Sequence, residues 1–282
     1  MTYRDHAARV TRAFDLWLTL AVWALLGVVA GAQTVDPVIE ARASYNRGDW
    51  AAAIAAASPA LQLADRQSEA LLLIGRATLE QFRETAEPSD LMRAREALRA
   101  VDSERLSARS RTELILGLGE ALYLDASYRA AAELFDAALG DGANLASRDR
   151  DQVLDWWATA LDRFAQTREG DERPRIYAAI SERMVTELRR TPGSATAAYW
   201  RAAAALARSE VDLAWDLAVA GWVQSSLAQP NHASNLRGDL DRLVISGIIP
   251  QRLERLANIS DVDAARAGML AEWELTKQKW TK

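Results

Sequence analysis

The sequence predicts an all-helical protein, and three observations carry that expectation. Beyond Gln33 the chain is rich in Ala, Leu, Arg and Glu, the residues that lose least on entering a helix. Runs of β-branched residues are absent, and no stretch keeps up the apolar–polar alternation of a half-buried strand. Breakers fall at intervals, at Gly48, Pro59, Pro88, Gly140-Asp141-Gly142, Gly170, Pro192-Gly193, Pro230 and Pro250. The segments between them are long enough for helices.

The first element is apolar. Arg4, Arg9 and Arg12 precede an uncharged run from Leu16, which closes on Ala30-Gly31-Ala32 before Gln33. A basic start, an apolar middle and a small-x-small end are the parts of a secretory signal. Residues 1–32 are therefore expected to direct export to the periplasm or beyond. The alternative is an uncleaved anchor over residues 16–32, since the run approaches the ~17 residues of the shortest membrane spans. Charges interrupt every later apolar run.

The next segments pair off. Ala41 to Ala57 holds Tyr45, the turn Gly48-Asp49-Trp50, then Ala53 and Ala57. Leu71, Ile74 and Gly75, followed by Ala94, Leu98 and Val101, repeat that plan. An insertion from Arg83 to Asp90 is expected to lengthen the second turn. Arg111 to Leu139 gives the clearest pair. Ile115, Leu118, Gly119 and Leu122 occupy a first helix, and Ala131, Phe135 and Ala138 a second. Tyr128 opens the second helix after Asp125-Ala126-Ser127. Gly119 and Ala131 are expected where the two helices cross closely, with the large residues filling either side.

This segment resembles a tetratricopeptide repeat, a helix–turn–helix unit of about 34 residues with small and large residues at these places. The resemblance extends more loosely over the rest of Val35 to Gln229. Val153 to Phe164, with Trp156 and Trp157, pairs with Arg175 to Arg190 across an insertion at Arg168 to Pro174. Ser194 to Gln224 carries Ala202, Ala214, Ala218 and Gly221 at small places. It implies a right-handed α-solenoid of about five hairpins over residues 33–230. Beyond it, Leu236 to Ile245 predicts a short helix, Ile249-Pro250 starts another, and Ser260 or Asp261 caps a last one ending in Lys277, Lys279 and Lys282. Residues 231–282 are expected to seal the open end of the array, as solenoids require.

Composition excludes several chemistries. There is no cysteine, hence no disulfide, thiolate or cysteine-based metal site. Histidine occurs only as His6 and His232, so no HExxH zinc motif exists and a Ser-His-Asp triad beyond the leader would depend on His232. His232 is read as an exposed loop residue. A net charge of −5 gives no reason to expect nucleic acid as partner. Gly117-x-Gly119 falls inside a predicted helix and not after a strand, so no phosphate loop or cofactor is expected. Asp261-Val262-Asp263 lacks the glycine and distal glutamate of a calcium loop and reads as helix capping. Arg-Gly-Asp at Arg47 to Asp49 and at Arg237 to Asp239 falls in a repeat turn and in or beside a helix. Carboxylates near the paired tryptophans (Asp149, Asp151, Asp155, Asp162, then Glu169, Asp171 and Glu172) read as a solvated face. A carboxylate-based hydrolase is the remote alternative.

The tetratricopeptide resemblance implies a concave surface lined by the first helix of each unit, holding a peptide or partner helix. On this chain it nominates Arg42, Tyr45, Arg76, Glu120, Tyr123, Asp155, Asp162 and Tyr199. One of Trp156 and Trp157 is expected to line the groove, because adjacent residues point about 100° apart on a helix. The expected function is binding of a protein or peptide without catalysis, with membrane contact only through the leader if it stays uncleaved. The chain is also similar in size, export and helical-repeat character to the periplasmic T-component of some tripartite solute transporters. Those usually carry a lipid-anchor cysteine, which is missing here. A small-molecule carrier is therefore the alternative function.

Overall fold

A computed structural model of the chain describes residues 36–140, 145–227, 230–256 and 261–281. The leader over residues 1–32 lies outside them. Among the described residues every regular element is a helix, and no helix is long and apolar enough to cross a membrane.

The helices come in consecutive pairs: α1 (Pro37–Asn46) with α2 (Trp50–Ala57), α3 (Gln67–Thr85) with α4 (Pro88–Arg99), and α5 (Ala108–Leu124) with α6 (Tyr128–Gly140). Then follow α7 (Ser147–Gln166) with α8 (Glu172–Arg190), and α9 (Ala195–Ala207) with α10 (Val211–Gln224). Side-chain caps begin many of them. The carboxylate of Asp36 accepts from Val38 N at 2.9 Å, Asp49 from Ala52 N at 3.0 Å, and the Ser107 hydroxyl from Ser110 N at 3.1 Å. Each satisfies one of the backbone donors that a helix start leaves open.

Three of the pairs turn on one backbone motif. Gly48, Ala126 and Ser209 all take the left-handed conformation, with φ of 77°, 57° and 60°. Each donates its N–H three residues back, to Tyr45, Tyr123 and Leu206 at 2.9, 3.0 and 2.8 Å. The following residue donates five back, from Asp49 to Ser44, Ser127 to Leu122 and Glu210 to Ala205, at 3.1, 2.9 and 2.9 Å. That pair of bonds is the Schellman motif, which satisfies the last carbonyls of a helix. The second helix starts at once, so Ala53, Ala131 and Ala214 are each its fourth residue, and all are fully buried.

The packing inside the pairs also repeats. A Cβ on Gly119 would lie 2.7 Å from the Phe135 ring, and one on Gly75 would lie 2.6 Å from Leu98 Cγ. Phe135 and Leu98 stand four residues after Ala131 and Ala94, so glycine and alanine allow the same close crossing twice. The core follows as a succession of clusters in chain order, from Val38, Ala41 and Leu73, through Leu79, Leu98 and Leu114, through Phe135, Trp157 and Ile180, to Trp215, Leu240 and Trp273.

Two expectations are corrected. The residues from Arg83 to Asp90 do not form a long turn. Helix α3 runs to Thr85 and α4 starts at Pro88, with Ala86 closing α3 in the left-handed region at φ 56°. The extra residues lengthen helices, and Ala94 becomes the seventh residue of α4. Similarly, Leu236 to Ile245 and Ile249-Pro250 are not separate helices. Helix α11 (Pro230–Leu243) passes through a π turn (Val244–Ile248) into α12 (Ile249–Arg255) without a break. The widened turn falls where Pro250 follows, a residue that has no N–H and whose ring crowds the carbonyl four residues back. His232 accordingly sits in the first turn of α11 and not in a loop. Asp261 caps the last helix, α13 (Val262–Trp280), by accepting from Ala264 N at 2.9 Å. Trp273 of α13 is fully buried between the rings of Trp215 and Trp222.

Candidate functional site

The first helices of the pairs lie side by side. Helix α1 packs on α3, α3 on α5, α7 on α9, and α9 on α11. No comparable packing joins α5 to α7. Two cavities open there, and a third lies beyond α7.

The first, of about 640 Å³, is walled by α1, α3, α5 and α7 and includes Arg42, Tyr45, Arg76, Glu113 and Trp156. Glu113 is the hub of its charges. Arg42 Nη1 donates to both carboxylate oxygens at 2.9 and 3.1 Å, Arg109 Nε donates at 3.3 Å, and Arg76 Nη1 stands 3.9 Å away. The Arg76 guanidinium lies over the Tyr45 ring, 5.0 Å from its centroid, an attraction between a cation and the negative face of the ring. Burial pushes the Tyr45 phenol up to about 12 against the opposing pull of Arg76. Burial also works against the charge of Arg76, yet Tyr45, Glu120 and Glu113 hold its pKa above the ordinary value. Its Nε is buried without a hydrogen-bond partner.

A smaller pocket of about 180 Å³ adjoins it, lined by Arg83, Glu120, Tyr123, Phe135, Asp155 and Trp156 among others. Arg83 Nη2 pairs with Glu120 Oε2 at 3.3 Å and Arg83 Nη1 with Glu80 Oε1 at 2.9 Å, while its guanidinium lies 5.8 Å from the centroid of a Trp156 ring. Glu120 is 3% exposed. Burial raises its pKa, and Arg83 and Arg76 only partly offset that. Its Oε1 has no hydrogen-bond partner.

The third cavity, about 470 Å³, is acidic. Asp151, Asp155, Asp239 and Tyr199 line it, and Asp239 pairs with the exposed Arg242 at its edge. Asp155 Oδ1 accepts from Trp200 Nε1 at 2.7 Å, and Asp151 Oδ1 from the Ser194 hydroxyl at 2.7 Å. Burial raises the pKa of Asp155, with Asp239 adding to the rise against the Trp200 hydrogen bond. Tyr199 is likewise raised by burial and by Asp239, Asp155 and Asp162.

Seven of the eight nominated residues line these cavities: Arg42, Tyr45, Arg76, Glu120, Tyr123, Asp155 and Tyr199. Asp162 lines none of them. It accepts hydrogen bonds from the Tyr177 hydroxyl and Gln166 Nε2, both at 2.7 Å, and ties α7 to α8. The reading of carboxylates as a solvated face does not extend to Glu120, which is buried against its arginines. Asp155 departs from it as well, being partly buried and held by Trp200. Of the paired tryptophans, Trp157 enters the core and Trp156 lines the cavities. Sequence reasoning missed Glu80, Arg83 and Glu113. Among the described residues, no group of three or more His, Asp or Glu side chains is placed to hold a metal ion.

In comparisons with known proteins, no family model, no curated protein and no solved structure matches the chain.

Proposed function

We propose that the chain is an exported tetratricopeptide-like α-solenoid that binds a protein or peptide along the face formed by α1, α3, α5, α7 and α9. The solenoid part rests on the Schellman turn shared by Gly48, Ala126 and Ser209 and on the matched crossings at Gly75 and Gly119. It rests also on a core that passes from one pair to the next. In the same reading α11, α12 and α13 seal the C-terminal end, and residues 1–32 direct export or, uncleaved, anchor the chain through residues 16–32.

The observation that carries the binding role is the alignment of all three cavities on one face, with partly buried Tyr45, Tyr123, Trp156 and Tyr199 among unevenly distributed charges. Aromatic anchors ringed by charged groups are how a preformed surface holds an extended chain. Charged side chains line the two larger cavities, which supports a polar, extended ligand over the enclosed apolar pocket a small-molecule carrier would use. Binding by shape involves no covalent step, cofactor or nucleic acid.

A random peptide library displayed against the purified chain tests this reading. Selected peptides are expected to lose about tenfold in affinity for Tyr45→Ala and Tyr123→Ala, as truncated interface anchors do. Selected peptides that bind both variants unchanged would show that this face is not the binding surface.

A further inference from the structure

The small pocket between α5 and α7 holds a buried carboxylate whose hydrogen bonding is incomplete. Two carboxylates enter it from different helices, Glu120 and Asp155. Arg83 lines the pocket with them and is shared with Glu80, while Arg76 acts on Glu120 from outside the lining. The side chain of Glu120 is 2% exposed, yet its Oε1 has no hydrogen-bond partner. A buried acceptor left unmade costs about 1–3 kcal/mol, and more when it is charged. Asp155 is shared with the neighbouring cavity, whose lining adds Asp151 and Asp239. Asp239 pairs with Arg242, an exposed side chain that is not among the lining.

The shape of the pocket narrows the occupant. About 180 Å³ falls below the ~300–1,000 Å³ of small-molecule sites, which leaves room for a single side chain. Its walls include the aromatic rings of Tyr123, Phe135 and Trp156. The chain itself shows the preferred arrangement, for Arg83 lies over Trp156 while pairing with Glu120. A guanidinium is flat, so it stacks on rings, and its fork of donors serves two carboxylates at once; an ammonium does neither as well.

We infer that the pocket lined by Glu120, Tyr123, Asp155 and Trp156 takes the guanidinium of an arginine side chain presented by the bound peptide. The inference deepens the peptide-binding role proposed for this face and rests on it. An incoming arginine brings a second guanidinium to the carboxylates of Glu120 and Asp155, beside Arg83. The acidic cavity next to it would favour further basic residues on the same side of the peptide.

The probe is butylguanidinium, with butylurea as its neutral counterpart, and the readout is the indole ¹H–¹⁵N resonance of Trp156 in the full chain, assigned through Trp156→Phe. Butylguanidinium is expected to shift this resonance saturably and butylurea to leave it in place. Glu120→Gln is expected to weaken the response about tenfold and Asp155→Asn to weaken it several-fold, while the exposed Asp171→Asn leaves it unchanged. An equal response to butylurea, or an unchanged response in Glu120→Gln, overturns the assignment. Should Glu120→Gln fail to fold, Asp155→Asn and Tyr123→Leu decide by the same criterion, and full binding by both overturns it. Library peptides that need Tyr45 but contain no arginine would overturn the arginine pocket and leave peptide binding standing. Saturable butylguanidinium binding with no peptide selected would support the pocket and sink the peptide-binding role.

Discussion

Arg150 and Glu187 show what a single buried pair contributes. Arg150 Nη2 and Nε donate to the two oxygens of Glu187 at 2.5 and 3.1 Å, and Nη1 donates to the Leu139 carbonyl at 2.7 Å. One guanidinium thereby joins α6, α7 and α8. Both side chains are nearly enclosed, so removing Arg150 leaves Glu187 buried with only the longer contact to Arg183 at 3.6 Å. Arg150→Ala is expected to cost about 3–5 kcal/mol in denaturant unfolding. Burial alone would raise the pKa of Glu187, but Arg150 and Arg183 hold it below the ordinary 4.5. The unfolded chain then binds the proton more tightly, so the pair's contribution is complete above that value and lost as pH falls through the depressed one. Unfolding measured at pH 7 and pH 3.5 should therefore show a smaller difference in Glu187→Gln than in the parent chain. Residue spacing holds a signal for the residues that sequence reasoning missed, Glu80, Arg83 and Glu113. Arg76, Glu80 and Arg83 are four and three apart, and Glu113 and Glu120 seven, so each set shares a helix face. Arg83 is hidden further, because the sequence predicts a turn from Arg83 to Asp90.

At the scale of the element, small residues at crossings were readable and backbone strain was not. Gly75 and Gly119 announce close contact because any larger residue collides. Gly119→Ala would press a methyl against Phe135, and Gly75→Ala one against Leu98, whose branch point lies nearest. Each is expected to destabilise by about 1–3 kcal/mol, read as a lower denaturation midpoint at unchanged slope. The turns behave oppositely. Ala126 and Ser209 occupy a conformation that costs a residue with a Cβ about 1–2 kcal/mol. Ala126→Gly should therefore raise stability by about 1 kcal/mol, and Gly48→Ala should lower it by a similar amount. Nothing in the letters Asp-Ala-Ser or Arg-Ser-Glu announces a left-handed residue. Only Gly48 carried a visible signal. The continuous α11–α12 segment was equally hidden, since proline inside a helix usually marks a boundary.

The whole molecule is a chain of neighbouring cores, and its ends matter more than its length. Trp273 closes the last one. It packs between Trp215 and Trp222, with ring centroids 5.8 and 5.4 Å away, and its Nε1 donates to Asp241 at 2.8 Å. Lys277 Nζ reaches the same Asp241 oxygen at 2.7 Å and fixes α13 in place. Trp273→Ala is expected to cost about 3–5 kcal/mol locally. Trp273 belongs to the last cluster, with residues of α9 and α10, and none of α3 or α4, so the loss should appear as faster amide exchange in α9, α10 and α13, with α3 and α4 protected as before. Uniform loss of protection along the chain would contradict that modular view. The helical class was legible from composition and breakers alone. The spaces between α5 and α7 were not, because they depend on how two pairs sit beside each other, and no local pattern encodes that.

The shared turn also bears on how such a chain preserves its design. Three segments spelled Arg-Gly-Asp, Asp-Ala-Ser and Arg-Ser-Glu write the same two hydrogen bonds. The turn is thus written in main-chain hydrogen bonds under three different spellings, by atoms that every residue possesses. Substitutions at these positions can accumulate so long as each stays within the few kilocalories that a neighbouring core supplies. In the letters only Gly48 marks a turn that the backbone makes three times.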